Sequence, residues 1–362
     1  MSSTESVSPD DVIVCACGTH EYTARDAIDA AMFRGELKEK WQTFLSHVGA
    51  EEHADELELE LDESAISTAA EEFRYLHDLI TAEETEIWLA NRGLTLDSFS
   101  DYFARQYCVG AIKEGVFPEQ IEYTSADPEL REMFVTELIL SGALDEMTVK
   151  LMWRLAARCA AKEPTSEAIA AEKRKFLHRF GIEPTQLADW LEELGRDSQW
   201  LNEMLATEAA YVMHCDTLLV PEARQRELKG MQLRLTRFEI ELIELESHDA
   251  AKEALFCVRE DGMSMEEVAT EGRYPYRRAE FLLEDVPADG QQKYLSVSQG
   301  DLLEPTPHGD GFELCRMIKK VEPRLEDPFV RLRVDQRLLD RYFSDLTTKY
   351  THSRLSVPVS ME

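Results

Sequence analysis

The sequence predicts an α+β protein: a large, mostly helical N-terminal region, then a small β-α-α-β-α-β-β domain, then a C-terminal helix. Three observations predict it. Stretches rich in Ala, Leu, Glu and Arg fill the first two thirds of the chain, and these residue types favour helix. From Leu233 to Leu245 the period changes to an alternating pattern, with Phe238, Ile240 and Leu242 on the opposite parity, rich in β-formers, as in a strand. With only 16 Gly and 13 Pro in 362 residues, a loop-rich all-β fold is disfavoured. Apolar residues make up 44% of the chain, enough to build packed cores.

The elements follow in order. Val12–Ala16 with Cys17 reads as a short buried strand that Gly18-Thr19 turns. Thr23 is placed to N-cap a helix ending near Arg34-Gly35, and Trp41, Phe44 and Leu45 share one face of the next. Glu51–Glu63 carries a dense run of acids and reads as a solvated connector or exposed helix start. Helices resume at Ser67, and Thr81-Ala-Glu-Glu84 is a capping box opening a helix that Gly93 stops. Trp190-Leu191 with Gly195 repeats Trp88-Leu89 with Gly93, and Gly142-Ala-Leu144 repeats Gly35-Glu-Leu37, which reads as two related helical units.

Beyond residue 230 the grammar changes. Arg237–Glu246 is a strand and Asp249–Arg259 a helix. Ser264-Met-Glu-Glu267 caps a short second helix carrying Met265. Ala279–Leu283 reads as a strand, Gln291–Val297 as a third helix, His308-Gly-Asp-Gly311 as a hairpin tip and Phe312–Val321 as the closing strand. Asp327–Leu346 supplies an amphipathic last helix. The expected boundaries are 1–160 for a helical domain with a short N-terminal strand, 161–230 for a second helical unit or connector, 231–322 for the mixed domain and 323–362 for the last helix.

The order β-α-α-β-α-β-β resembles the parvulin rotamase domain. Asp261-Gly-Met-Ser-Met-Glu-Glu-Val-Ala269, Val297-Ser-Gln-Gly-Asp-Leu-Leu-Glu-Pro305 and Gly311-Phe-Glu-Leu-Cys-Arg-Met317 carry the likeness, over about a quarter of the chain. With helices before and one helix after, the layout is similar to the SurA-like chaperones, whose last helix packs back on the N-terminal helices. The resemblance implies peptidyl-prolyl isomerase chemistry: lowering a rotation barrier of about 18–20 kcal/mol by holding the proline ring in an apolar pocket and favouring the twisted amide.

The active-site set of that family is broken here. Active parvulins carry two facing histidines, a Cys or Asp between them and a Met/Leu/Phe proline pocket. No histidine lies between residues 215 and 247, so the first strand offers only Glu239 and Glu241. The second family histidine falls on Glu313, and His308 sits at the hairpin tip. The pocket pair falls on Val286 and Gly290, leaving Tyr294 or Leu295 to fill the hollow, and Met265 and Phe312 complete the candidate peptide contacts. Facing glutamates repel unless one protonates, and Glu is seldom buried unpaired, so these carboxylates are expected to face solvent. The expectation is therefore a foldase-like protein binding an unfolded or precursor peptide with weak or no catalysis. The alternatives are an isomerase with an acidic site and a scaffold for peptide-modifying enzymes.

Charge and motifs narrow the rest. A net charge of −33 disfavours nucleic acid and anionic membranes as partners. Met1–Asp11 is polar and the apolar run after it is too short for a signal peptide, so a cytoplasmic address is expected by default. The seven cysteines are odd in number and scattered, which reads as reduced, mostly buried thiols. Cys15-Ala-Cys17 lacks a second ligand pair, and the dispersed histidines, His77 and His178 among them, read as packing groups, so neither metal nor cofactor is expected. The chain has no phosphate-binding loop, dinucleotide glycine motif or nucleophile elbow.

Overall fold

The computed structural model describes residues 8–112, 121–123, 126–160 and 163–354. The first part of the polar Met1–Asp11 segment lies outside them. The chain is α+β and divides into two units: residues up to Asp216 with those from Arg341 onward, and Thr217–Asp340.

The first unit opens with β1 (Ile13–Cys17) and β2 (His20–Thr23) and continues through α1 (Ala24–Phe33), α2 (Leu37–Glu56), α3 (Glu63–Leu76), α4 (Ala82–Ala90) and α5 (Leu96–Ala111). Then come α6 (Pro128–Leu140), α7 (Ala143–Ala160), α8 (Ser166–Phe180), α9 (Leu187–Glu193) and α10 (Ser198–Leu218). Thr23 closes a reciprocal capping box with Asp26, ending β2 and starting α1 in one step. Trp41 packs edge-on against Phe134, and its indole N–H donates to the Ile121 carbonyl at 2.6 Å. That bond makes burial of a large amphipathic ring tolerable.

Two helix limits differ from the sequence reading, each for a local reason. The acidic stretch is helical through Glu56, because Ala50 and Ala54 turn a small-residue face into the core. α3 begins at Glu63 rather than Ser67, because the Asp62 carboxylate accepts from the Ser64 and Ala65 amides. The repeated Trp-Leu-x-x-x-Gly segments both end helices on a left-handed glycine, Gly93 at φ 67° and Gly195 at φ 64°. His77 is a packing group: its ring lies 4.2 Å from Phe73 and 5.5 Å from Trp88, and burial lowers its pKa.

The second unit holds α11 (Pro221–Met231), β3 (Arg237–Leu245), α12 (His248–Arg259), α13 (Met265–Gly272), β4 (Tyr276–Leu282), α14 (Ala288–Ser296), β5 (Thr306–His308) and β6 (Gly311–Val321). The strands form one antiparallel sheet in the order β4-β3-β6-β5. β4 starts three residues earlier than its own sequence suggests because Tyr276, Arg277 and Arg278 pair with Ile243, Leu242 and Glu241 of β3. One sheet face packs on α12 and α13 through Ile243, Leu245, Leu255, Met265 and Leu314. The opposite face packs on α14 through Phe238, Ile240, Leu242, Cys315 and Met317.

α15 (Pro328–Tyr350) and β7 (Thr351–Ser353) are the last elements among the described residues. In the second unit Val330, Val334 and Leu338 of α15 join Met231 and Leu235 in a separate core, and Arg224 grips Asp335 with two hydrogen bonds of 2.6 and 2.8 Å. In the first unit Phe343 is fully buried, stacked 5.2 Å from Trp153. β7 pairs with β1, which makes β1 the centre of the sheet β2-β1-β7. No helix among the described residues is long and apolar enough to cross a membrane.

Candidate functional site

Strand alternation decides which candidates can meet. On β3, Phe238, Ile240, Leu242 and Glu244 point toward α14, while Glu239 and Glu241 share the parity of Ile243. On β6, Glu313 has the parity of Cys315 and Met317, so it points toward α14. Glu313 is therefore on the opposite face from Glu239 and Glu241, and the expected pair of facing carboxylates from these residues does not form. The register instead sets Glu244 directly across from Glu313.

Neither Glu241 nor Glu313 faces solvent freely, which corrects the sequence expectation. Glu313 is 9% exposed. Arg277 of β4 reaches Glu313 at 3.8 Å and Glu244 at 3.3 Å, spreading one positive charge over two carboxylates. Glu241 accepts from the Tyr276 hydroxyl at 2.9 Å and lies 3.5 Å from Arg316, with 12% of its side chain exposed. Partnered burial of this kind escapes the desolvation cost that excludes lone glutamates from interiors. Glu239 is half-buried opposite Lys319 and Glu280.

The α14 face is small and chemically defined. Tyr294 lies 4.8 Å from Phe281 and 6.0 Å from Phe238, so its ring fills the hollow over the sheet beside Leu295. Gly290 lets Val286 approach: a Cβ there would meet Val286 Cγ1 at 3.1 Å. Lys293 donates to the Thr306 hydroxyl at 3.0 Å, and Thr306 pairs with Glu313 across β5 and β6. Cys315 is buried, and burial, then Glu313, pushes its thiol up to about 12. Burial, then the charges of Cys315 and Glu313, raises Tyr294 to about 12. Both groups are neutral donors near neutral pH.

The remaining candidates lie elsewhere. Met265 is fully buried in the α12–α13 core, out of reach of any ligand. Phe312 is on that same side, its ring 5.1 Å from His248. His308 is exposed at the hairpin end. Val286, Tyr294 and Leu295 are thus brought to the α14 side, while Met265 and Phe312 are not.

No protein-family model matches the chain, and no curated protein does. Among solved structures it is similar to parvulin-type foldases and SurA-like chaperones. Peptidylprolyl isomerase PrsA from Bacillus cereus is 13% identical with a TM-score of 0.36, over 64% of this chain and 90% of that one. Foldase protein PrsA from Streptococcus pneumoniae is 10% identical with a TM-score of 0.23, over 63% and 91%. A structure from work on PEB4 and Cj1289, two SurA-like chaperones of Campylobacter jejuni, is 8% identical with a TM-score of 0.22, over 59% and 88%. At such identities and scores the likeness transfers no activity.

Sequence reasoning reached Glu313 and Tyr294 but missed Glu244, Arg277, Lys293, Thr306 and Cys315. Cys315 was within reach, because it stands two residues beyond Glu313 on the same strand face. Arg277 and Glu244 required the pairing register, which no single strand encodes. The assembled groups partner one another: Arg277 with Glu313 and Glu244, and Lys293 with Thr306. They lack a histidine pair. The two histidines of Thr217–Asp340 are His248, on the far sheet face, and exposed His308.

Proposed function

We propose that this protein is a parvulin-type foldase that binds an extended segment of an unfolded or precursor peptide at the α14 face and isomerises prolyl bonds weakly or not at all. One observation carries the reading: Glu313, beside Cys315 and opposite Thr306, is a buried carboxylate shared with Arg277. An ionised carboxylate only accepts hydrogen bonds, whereas a neutral histidine both gives and accepts them. The twisted amide of a rotating prolyl bond gains a more basic nitrogen, which a carboxylate has no proton to stabilise. Tyr294 in the hollow further reduces the space for a proline ring.

Binding is supported separately. The first unit exposes Tyr75, Leu76 and Ile80 at the α3–α4 corner and Ile87 on α4, apolar side chains of the kind client chains cover. Glu83, Glu84 and Glu86 surround them in sequence. With a net charge of −33 the protein attracts basic clients at long range. Peptide-modifying enzymes that act on the same precursor are the partners this reading suggests.

Two assays test it. In a protease-coupled prolyl isomerisation assay the protein is expected to leave the rate near its uncatalysed value. A large acceleration that Glu313→Ala abolishes overturns the reading in favour of an acidic catalyst. In fluorescence anisotropy with a labelled basic peptide containing proline, binding is expected to saturate and to weaken on raising salt. No binding by any such peptide favours a scaffold.

A further inference from the structure

A second chemical feature lies in the first unit, apart from the sheet face. Cys17 ends β1 and Cys159 lies in the last turn of α7, 142 residues away in sequence, yet their Sγ atoms are 2.9 Å apart. That is roughly 0.9 Å beyond a disulfide bond length, and both are free thiols. Their environments differ in a useful way. Cys159 is exposed, whereas Cys17 is buried. Burial raises the Cys17 thiol and also that of Cys15, so the two β1 thiols are poor nucleophiles toward solutes and sit out of their reach.

We propose that Cys17 and Cys159 form an oxidisable pair that closes to a disulfide by exchange with a low-molecular-weight disulfide such as oxidised glutathione. The exposed Cys159 thiolate attacks one sulfur of that disulfide and expels a thiolate, forming a mixed disulfide at Cys159. The Cys17 thiol, already in contact with the Cys159 sulfur, then loses its proton and attacks it, expelling the second small thiolate. Two protein thiols are oxidised, one small disulfide is reduced to two thiols, and the two protons end on those products. The closed pair fastens the end of α7 to β1. Because β1 pairs with β2 on one edge and β7 on the other, the link anchors the central strand of that sheet.

The test uses the full-length reduced protein incubated with oxidised glutathione, followed by intact mass and non-reducing peptide mapping. The expected result is a loss of about 2 Da, a cross-linked peptide containing Cys17 and Cys159, and disappearance of two of the seven thiols from titration. Cys159→Ser, a change at an exposed position, is expected to abolish all three. A lasting glutathione adduct on Cys159, a bridge through Cys15, or an unchanged mass overturns the proposal, as does a mass loss that survives Cys159→Ser.

Discussion

Glu36→Gln probes a firmly held carboxylate of the first unit. Arg34 grips Glu36 with two hydrogen bonds, Nε to Oε1 at 2.9 Å and Nη2 to Oε2 at 3.0 Å, and Lys150 adds a third contact at 3.2 Å. The Arg34 side chain is only 5% exposed, and its Nη1 is already buried without a hydrogen-bond partner. Burial alone would raise the Glu36 carboxyl, but the hydrogen bonds and charges of Arg34 and Lys150 outweigh it and bring its pKa to about 2, from 4.5. A shift of that size corresponds to about 3 kcal/mol. Glu36 is 30% exposed, and solvent screening reduces the figure to about 2 kcal/mol. Gln keeps one acceptor oxygen for Arg34 but removes the charge that its buried guanidinium faces, so the loss stays near that figure.

The folded pKa lies below the unfolded one, so this stability is complete above about pH 4.5 and disappears as pH falls toward about 2. All five tryptophans precede Asp216, so urea unfolding followed by tryptophan emission reports on the unit containing Glu36. At neutral pH the Glu36→Gln midpoint is expected to fall by roughly 1 M urea, taking a slope near 2–3 kcal/mol/M. The gap between the two proteins is expected to narrow between pH 4.5 and 2. A neutral-pH shift below about 0.2 M refutes the reasoning, because it would mean that water serves Arg34 as well as the carboxylate does.

Three further outcomes follow from particular contacts. Phe343→Ala removes a fully buried ring stacked on Trp153, with an expected loss of about 3–5 kcal/mol and altered Trp153 emission in the native state. Gly311→Ala places a methyl group 2.4 Å from the Leu245 carbonyl oxygen, so the β3–β6 edge must open. Hydrogen exchange across Phe312–Leu314 is expected to accelerate while the first unit keeps its tryptophan-detected midpoint. Tyr294→Ala empties the hollow over Phe238 and Phe281, and stability of the second unit is expected to drop by about 2 kcal/mol in urea unfolding followed by circular dichroism. A change below about 0.5 kcal/mol would show that the ring lies on the surface instead.

Much of the architecture is a local property of the sequence. Thr23, Thr81 and Ser264 each start a helix with a side chain that meets its own third residue onward, and left-handed Gly93 and Gly195 stop helices where they stand. The alternation of Phe238, Ile240 and Leu242 marks a strand before any partner is known, because its period is 2. Such signals need only neighbours a few residues away, and they suffice to give the order β-α-α-β-α-β-β.

The site is a different kind of fact. Whether Glu313 confronts Glu241 or Glu244 depends on the register between strands almost seventy residues apart, and a one-residue difference reverses the face of every side chain. The partner that makes its burial tolerable, Arg277, comes from a third strand. Cys17 and Cys159 likewise look unrelated in the sequence and touch because α7 packs against β1. Which segments coil, extend and turn is settled over a few residues, so the order of the residues is enough to read it. Which charges and thiols share a space depends on distances between segments, and the chain order leaves those open until the protein folds.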